Sequence, residues 1–155
     1  MTERTVTHAT FVIERTYDAS PARVFNAWAD PAAKARWFTA PADWAKEPHQ
    51  LDFRIGGGER MVGGPKDGPM HIFESRYYDI VPNKRVVSAY EMYLGETRIS
   101  VSVATLELKP AGAGTRMIYT EQGAFLDGFD NPAIREEGTR DLLDKLGQAL
   151  EQQNV

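Results

Sequence analysis

Residues 9–31, ATFVIERTYDASPARVFNAWADP, carry the pattern that decides the fold. The first nine are rich in β-branched and aromatic residues that alternate with polar ones, which is typical of a β-strand. Ser-Pro at 20–21 and Asp-Pro at 30–31 are helix-start signals. The first residue of each pair can cap a helix, and proline suits the first helical position because its missing N–H would be unpaired there. The stretch therefore predicts one strand followed by two short helices.

The middle of the chain is a run of predicted strands. Alternating patterns predict six of them, at residues 51–55, 59–62, 70–81, 85–93, 97–108 and 115–122. Glycine-rich turns separate them, since glycine reaches positive φ without steric cost. A single sheet of consecutive antiparallel strands tends to curl, so we expect one curved antiparallel sheet.

The tail, residues 132–152, switches to helical periodicity after Asn131-Pro132. The residues predicted to share one apolar side are Ile134, Leu142, Leu143, Leu146 and Leu150. The order of strand, two short helices, six strands and one long helix predicts an α+β layered domain. The apolar side of the last helix must pack on the concave face of the sheet, and such packing can leave a cavity between them.

Composition favours one folded domain spanning 1–155. Hydrophobic residues make up 42% of the 155 residues and charged residues 26%, as in globular proteins. The formal charge is −4 and both signs are interspersed, which gives no electrostatic support for nucleic-acid binding. Without an apolar leader or a run of transmembrane length, we expect a cytoplasmic protein with no membrane insertion, present as a monomer or a homodimer.

Metal and cofactor chemistry has little support in the sequence. Cysteine is absent, which excludes disulfides and thiolate nucleophiles. His8, His49 and His71 are scattered, without a second ligand at metal-binding spacing on the same element. We therefore predict neither a metal nor a cofactor.

Seven short stretches, in order along the chain, together resemble a known family. They are RTYDASP at 15–21, VFNAW at 24–28, DP at 30–31, RWF at 36–38, DFRIGG at 52–57, DIVP at 79–82 and GTR at 114–116. The chain resembles the homologues of the activator of the heat-shock chaperone ATPase, in the START-like, birch-pollen-allergen-like superfamily. The resemblance implies a helix-grip fold, with a seven-stranded antiparallel sheet around a C-terminal helix and two short helices closing one end. It implies no single function, because the superfamily includes lipid carriers, hormone receptors, polyketide cyclases and chaperone activators.

Charged residues alternate with apolar ones in three of the predicted strands. The candidate ligand-binding residues from these strands are Glu74, Arg76, Tyr78, Glu91, Tyr93, Tyr119 and Glu121. If their faces are concave, carboxylates and one guanidinium project into an apolar cavity as polar anchors for a ligand, or as acids and bases for enol chemistry. The alternatives are a solvent-facing placement and an internal ion pair without a ligand.

Aromatic and aliphatic side chains supply the apolar part of the predicted site. The further candidates are Trp37, Phe38, Phe53, Phe125, Leu142 and Leu146. Residues 123–129, between the last strand and the last helix, are predicted to form a lid. The favoured hypothesis is a non-enzymatic binding domain for a small hydrophobic or amphipathic molecule. The alternatives are a co-chaperone-like partner of a heat-shock ATPase and a cyclase or dehydratase.

Overall fold

The computed structural model describes residues 3–152, so five residues of the predicted 1–155 domain lie outside the described part. The chain forms one curved antiparallel sheet, two short helices after the first strand and a long C-terminal helix, which confirms the predicted α+β helix-grip architecture. The elements are β1 (Val6–Tyr17), α1 (Pro21–Ala29), α2 (Pro31–Ala35), β2 (Ala45–Lys46), β3 (Gln50–Leu51), β4 (Gly58–Gly64), β5 (His71–Val81), β6 (Arg85–Leu94), β7 (Thr97–Ala111), β8 (Gly114–Leu126) and α3 (Pro132–Gln152).

The sheet joins the first long strand to the last. Its order is β1-β8-β7-β6-β5-β4-β2, with β3 paired to β4. β1 pairs along its whole length with β8, from Val6 opposite Leu126 to Tyr17 opposite Thr115. Two of the strands, β2 and β3, have only two residues each. The described residues thus form six long strands and two short ones.

The predicted strand at 51–55 is wrong beyond Leu51, because the chain turns there. Gly56 has a φ of +85°, a conformation that L side chains rarely adopt. A Cβ on Gly57 would lie 2.3 Å from the carbonyl oxygen of Asp52, so the turn closes too tightly for another residue. The turn between Leu51 and Gly58 therefore separates β3 from β4, which starts at the third glycine.

The two predicted helix starts are confirmed in detail. Ser20 Oγ accepts a hydrogen bond from the Arg23 N–H at 3.3 Å, and Asp30 Oδ2 accepts one from the Ala33 N–H at 2.9 Å. The indole N–H of Trp37, beyond α2, donates to a carbonyl of α1 at 2.9 Å. This bond fixes the two short helices to each other at one end of the sheet.

Only the C-terminal half of α3 is packed. Leu143, Leu146 and Leu150 are buried, whereas Ile134 is 64% exposed, so the predicted apolar side is wrong at its first member. The hydroxyl of Tyr17 donates to the Leu143 carbonyl at 2.7 Å and ties this half to β1. The N-terminal half extends over the concave face without filling the space beneath it. Among the described residues no helix is long and apolar enough to cross a membrane.

Candidate ligand cavity

A cavity of about 640 Å³ lies between the concave face of the sheet and the N-terminal half of α3. Its size is within the range of roughly 300–1,000 Å³ typical of sites that enclose a small organic molecule. Strands β4 to β8, both short helices and α3 contribute to its wall. The wall is mostly aromatic and aliphatic, so an apolar molecule that enters it leaves water.

The aromatic wall is a continuous set of contacting rings. Trp28 stacks on Tyr119 with ring centroids 6.1 Å apart and meets Trp37 edge-on at 4.7 Å. From Trp37 the contacts continue to Phe38 at 5.9 Å, from Phe38 to Phe73 at 5.2 Å, and from Phe73 to Tyr90 at 4.7 Å. These separations are those of favourable aromatic pairs, so the rings hold one another in place and present fixed faces to the cavity.

The mouth of the cavity lies beside the connection between β8 and α3. Phe129 and Ile134 line the cavity yet are 53% and 64% exposed. Asp127 and Gly128, just before them, have φ values of +56° and +70°, which turn the chain sharply after β8. Large apolar side chains at a rim are suited to contact a ligand that only partly enters.

A charged cluster, named here the Glu121–Arg135 group, lies in the cavity wall. Arg135 Nη1 donates to the Tyr90 hydroxyl at 2.9 Å and lies 3.5 Å from Glu121 Oε2. The guanidinium also pairs with Asp130, and the Tyr119 hydroxyl donates to Glu121 Oε1 at 3.0 Å. Two carboxylates thus face one guanidinium, and the ionised group has a net negative charge.

The protonation of the Glu121–Arg135 group follows from its burial. Burial raises the pKa of Tyr119 well above its usual 10, and the charge of Glu121 raises it further. Burial lowers the pKa of Arg135, but Tyr90, Asp130 and Glu121 together raise it by more, so it lies above the usual value for arginine. At neutral pH the tyrosine therefore remains a hydrogen-bond donor and the arginine remains a cation.

A second cluster, the Lys34–Glu59 group, lines another part of the cavity. Lys34 Nζ is 2.5 Å from Glu59 Oε1, and His49 Nε2 is 2.6 Å from Glu59 Oε2. The Tyr77 hydroxyl approaches Oε1 at 3.4 Å. Burial raises the pKa of Glu59, but Lys34 and His49 lower it by more and leave it below its usual 4.5. The Lys34 ammonium also lies 4.8 Å from the ring centroid of Phe38, where a cation–π attraction adds to the ion pair.

The structure brings together about half of the predicted site residues. Those that line the cavity are Trp37, Phe38, Phe53, Tyr119, Glu121 and Leu142. Phe125 and Leu146 are buried behind the wall, and the Phe125 ring lies 5.1 Å from the Arg135 guanidinium. The predicted lid at 123–129 is wrong for its first four residues, which belong to β8. Only the end of that segment, around Phe129, is at the mouth.

The other five predicted residues do not line the cavity. Glu74, Arg76, Tyr78, Glu91 and Tyr93 lie on the convex face. Tyr78, for example, is 58% exposed, and the other four are partly or largely exposed. Their predicted inward orientation is wrong.

A β-bulge explains the error in β5. The pairing of β5 with β6 shifts between Tyr77 and Asp79, so Tyr77 and Ile80 both point inward although they are three residues apart. The prediction assumed unbroken alternation along β5, which puts Tyr78, Arg76 and Glu74 on the same face as the inward-pointing Ile80. Before the bulge, however, these three residues lie on the outer face. The residues that point inward there include Phe73, Ser75 and Tyr77.

Seven titratable residues of the two groups are absent from the predicted site: Lys34, His49, Glu59, Tyr77, Tyr90, Asp130 and Arg135. Period two places Glu59 on the same face as Met61, and two helical turns place Arg135 on the same side as Leu142. Both spacings are visible in the sequence and could have identified Glu59 and Arg135 as site residues. Nothing in the sequence distinguishes Lys34, because lysine is normally exposed.

A curved antiparallel sheet that grips a C-terminal helix over an apolar cavity defines a helix-grip domain of the START-like class. The family model described as Activator of Hsp90 ATPase homolog 1-like protein matches residues 18–151, and the chain belongs to that family. The comparison with curated proteins gives no match.

Solved structures agree with this assignment. An uncharacterised protein of Rhizobium leguminosarum is 47% identical, with a TM-score of 0.92 over 97% of this chain and 99% of that one. A protein of Rhizobium loti is 46% identical, with a TM-score of 0.87 over 94% and 99%. A protein of Chromobacterium violaceum is 26% identical, with a TM-score of 0.76 over 92% and 96%. The similarity covers the whole domain and assigns no ligand.

Proposed function

We propose that this protein binds a small hydrophobic or amphipathic molecule in the cavity between the sheet and α3. The carrying observation is the cavity itself, which has a volume of about 640 Å³, a mouth beside α3 and a mainly apolar wall with two polar groups. A packed core rarely leaves voids much larger than a water molecule, so a space of this size in the middle of the domain indicates an occupant.

The arrangement of the wall suits binding more than catalysis. The rings restrain one another, and the charged side chains of both clusters are held by ion pairs within the wall. A wall held in this way is preorganised, so little conformational entropy is lost when an apolar molecule enters. Burial of the molecule in the apolar wall supplies the main part of the affinity.

A pair of neighbouring substitutions on β6 tests the proposal. Ser88 lines the cavity, whereas Ala89 points to the opposite face of the same strand. The Ser88→Phe variant places a ring in the cavity, and the Ala89→Phe variant places the same ring on the convex face. The probe is N-phenylnaphthylamine, a neutral apolar dye whose fluorescence rises in an apolar site.

We expect saturable dye binding in the wild-type protein and in Ala89→Phe. In Ser88→Phe the affinity should fall by about tenfold or more, equivalent to ~1.4 kcal/mol, because the new ring occupies part of the binding volume. Circular dichroism and thermal unfolding check that both variants are folded. Equal dye binding in the two folded variants, or none in the wild type, would overturn the proposal.

Two variants, Ser88→Phe and Glu121→Gln, bear on the two alternatives from the sequence. A co-chaperone acting through its surface would keep its effect on a heat-shock ATPase in Ser88→Phe. A cyclase or dehydratase would require Glu121, the only predicted acid that lines the cavity among the described residues. Turnover of a polyketide substrate that survives Glu121→Gln would contradict that role.

A further inference from the structure

Unpaired polar atoms are concentrated in the wall of the cavity. Among the described residues four buried side-chain atoms have no hydrogen-bond partner, and three of them belong to residues that line it, Trp28 Nε1, Ser75 Oγ and Glu121 Oε2. Buried polar atoms are nearly always paired, with protein or with a bound molecule. Their position therefore indicates where the polar part of an occupant is bound.

Glu121 is the most informative of the three. Its side chain is 1% exposed, and its two oxygens differ: Oε1 accepts from Tyr119, whereas Oε2 accepts no hydrogen bond. Arg135 Nη1, 3.5 Å from Oε2, is too far for a well-formed hydrogen bond and donates to Tyr90 instead. This buried carboxylate oxygen thus has the Arg135 guanidinium as an ion-pair neighbour and the Tyr90 hydroxyl beside the carboxylate, but it accepts no hydrogen bond of good geometry.

Arg135 is already committed to other partners. Its Nη2 donates to Ser100 Oγ at 2.8 Å and to Asp130, and its Nη1 donates to Tyr90. An incoming anion would therefore have to displace one of these bonds. It would also add negative charge to a group in which Glu121 and Asp130 already outnumber the single cation.

We propose that the cavity selects ligands whose polar end donates a hydrogen bond to Glu121 Oε2, namely alcohols, phenols or amines, and discriminates against carboxylates. This assignment of the ligand class rests on the proposed binding function. The donor satisfies the unpaired oxygen, and an ammonium also balances the negative charge of the group. Because Oε2 is buried, binding of the donor requires a side chain beside it to move.

The test uses four probes with one apolar body: naphthalenemethanol, naphthalenemethylamine, naphthoic acid and methylnaphthalene. The affinity of each probe is measured from its displacement of N-phenylnaphthylamine from the wild-type protein at pH 7. We expect the alcohol and the amine to bind about tenfold or more tightly than the acid, as a hydrogen bond to a charged group implies. Methylnaphthalene, without a polar end, should lie between them.

Two variants with the same substitution locate the effect. Glu121→Gln replaces the carboxylate by an amide that can donate, so the preference for the alcohol over the acid should largely disappear. Glu74→Gln, on the convex face beside Arg60, should leave the preference unchanged. Circular dichroism checks that both variants are folded. If either is not, the ranking of the four probe affinities in the wild-type protein still tests the ligand class.

The outcomes separate this inference from the proposed function. If all four probes bind equally, or the acid binds most tightly, the ligand class is overturned while the binding function stands. If Glu121→Gln is folded and keeps the wild-type ranking, the role of Glu121 is overturned. If no probe displaces the dye and the dye itself does not bind, both are overturned.

Discussion

Removal of Lys34 should destabilise the protein far more than removal of a surface charge. Its side chain is 6% exposed and that of Glu59 is 1% exposed, with 2.5 Å between Nζ and Oε1. Lys34→Met preserves most of the aliphatic stem but leaves the Glu59 carboxylate buried with His49 as its remaining close partner. Breaking a buried pair in this way costs about 3–5 kcal/mol, because the desolvated charge loses its compensation.

The double variant Lys34→Met/Glu59→Met isolates the pair from general packing. Replacing both partners by apolar residues of similar volume is often close to neutral, so we expect it to be more stable than Lys34→Met alone. In a double-mutant cycle, the double variant is compared with the sum of Lys34→Met and Glu59→Met. We expect this comparison to give a coupling energy on the order of 2 kcal/mol. The matched control is Arg60→Met, which breaks the exposed pair with Glu74 and should cost at most ~1 kcal/mol.

Urea unfolding followed by circular dichroism measures these free energies. With a slope of roughly 1–3 kcal/mol/M, Lys34→Met should lower the midpoint by on the order of 2 M. A loss below about 1 kcal/mol, similar to that of Arg60→Met, would refute the assignment of a strongly coupled buried pair. Additive effects of Lys34→Met and Glu59→Met would refute it as well.

The pH dependence of the same variant gives a second signature. In the wild type the pKa of Glu59 is below 4.5, so its contribution is present above that pH and is lost as the pH falls below it. Without Lys34, burial becomes the dominant effect and raises the pKa of Glu59. The carboxyl then destabilises the fold above pH 4.5, and the deficit of Lys34→Met should narrow as the pH falls from 7 towards 4.5. A deficit independent of pH would contradict this.

Two further predictions concern single contacts. Tyr17→Phe removes the 2.7 Å bond to the Leu143 carbonyl and should cost about 1 kcal/mol, or a fall of ~2–4 °C in the Tm by calorimetry; an unchanged Tm would show that packing alone holds α3 on β1. The pKa of His71 should lie below 6.5 in an NMR titration, because burial disfavours the charged imidazole more than Asp130 favours it. Neutral His71 then contributes stability that is lost as the pH falls through 6.5, and His71→Gln identifies the resonance; a midpoint at or above 6.5 would contradict the placement.

The strands and helices were largely predictable because their signals are local. The two caps need only their own helices, and the alternation in β1 places Phe11, Ile13 and Tyr17 on the inner face without reference to other strands. Glu121 was placed correctly for the same reason. Regular alternation with Met117 and Tyr119 holds throughout that part of β8.

The facing of β5 was not predictable, because alternation is relative and a single bulge reverses it. Glu74 and Arg76 have the same apolar neighbours in sequence as an inward pair would have. The predicted inner face of β6 is also wrong, because alternation alone does not say which of the two faces points inward. The residues of its outer face, including Glu91, alternate as regularly as those of its inner face, and only the pairing with β5 and β7 distinguishes them.

By itself the sequence determined the order of the long strands and the helices, the helix caps and the apolar character of the cavity, since each depends on residues close together in the chain. Only the tertiary structure decided which charges pair with one another in the wall of that cavity. The pairs Lys34–Glu59 and Glu121–Arg135 join residues 25 and 14 positions apart, from different elements. A buried charge is stable only where a partner of opposite charge lies close to it, and the fold decides where that is. The unpaired oxygen of Glu121, on which the proposed ligand class depends, exists only because Tyr119, Tyr90 and Arg135 are brought together around it.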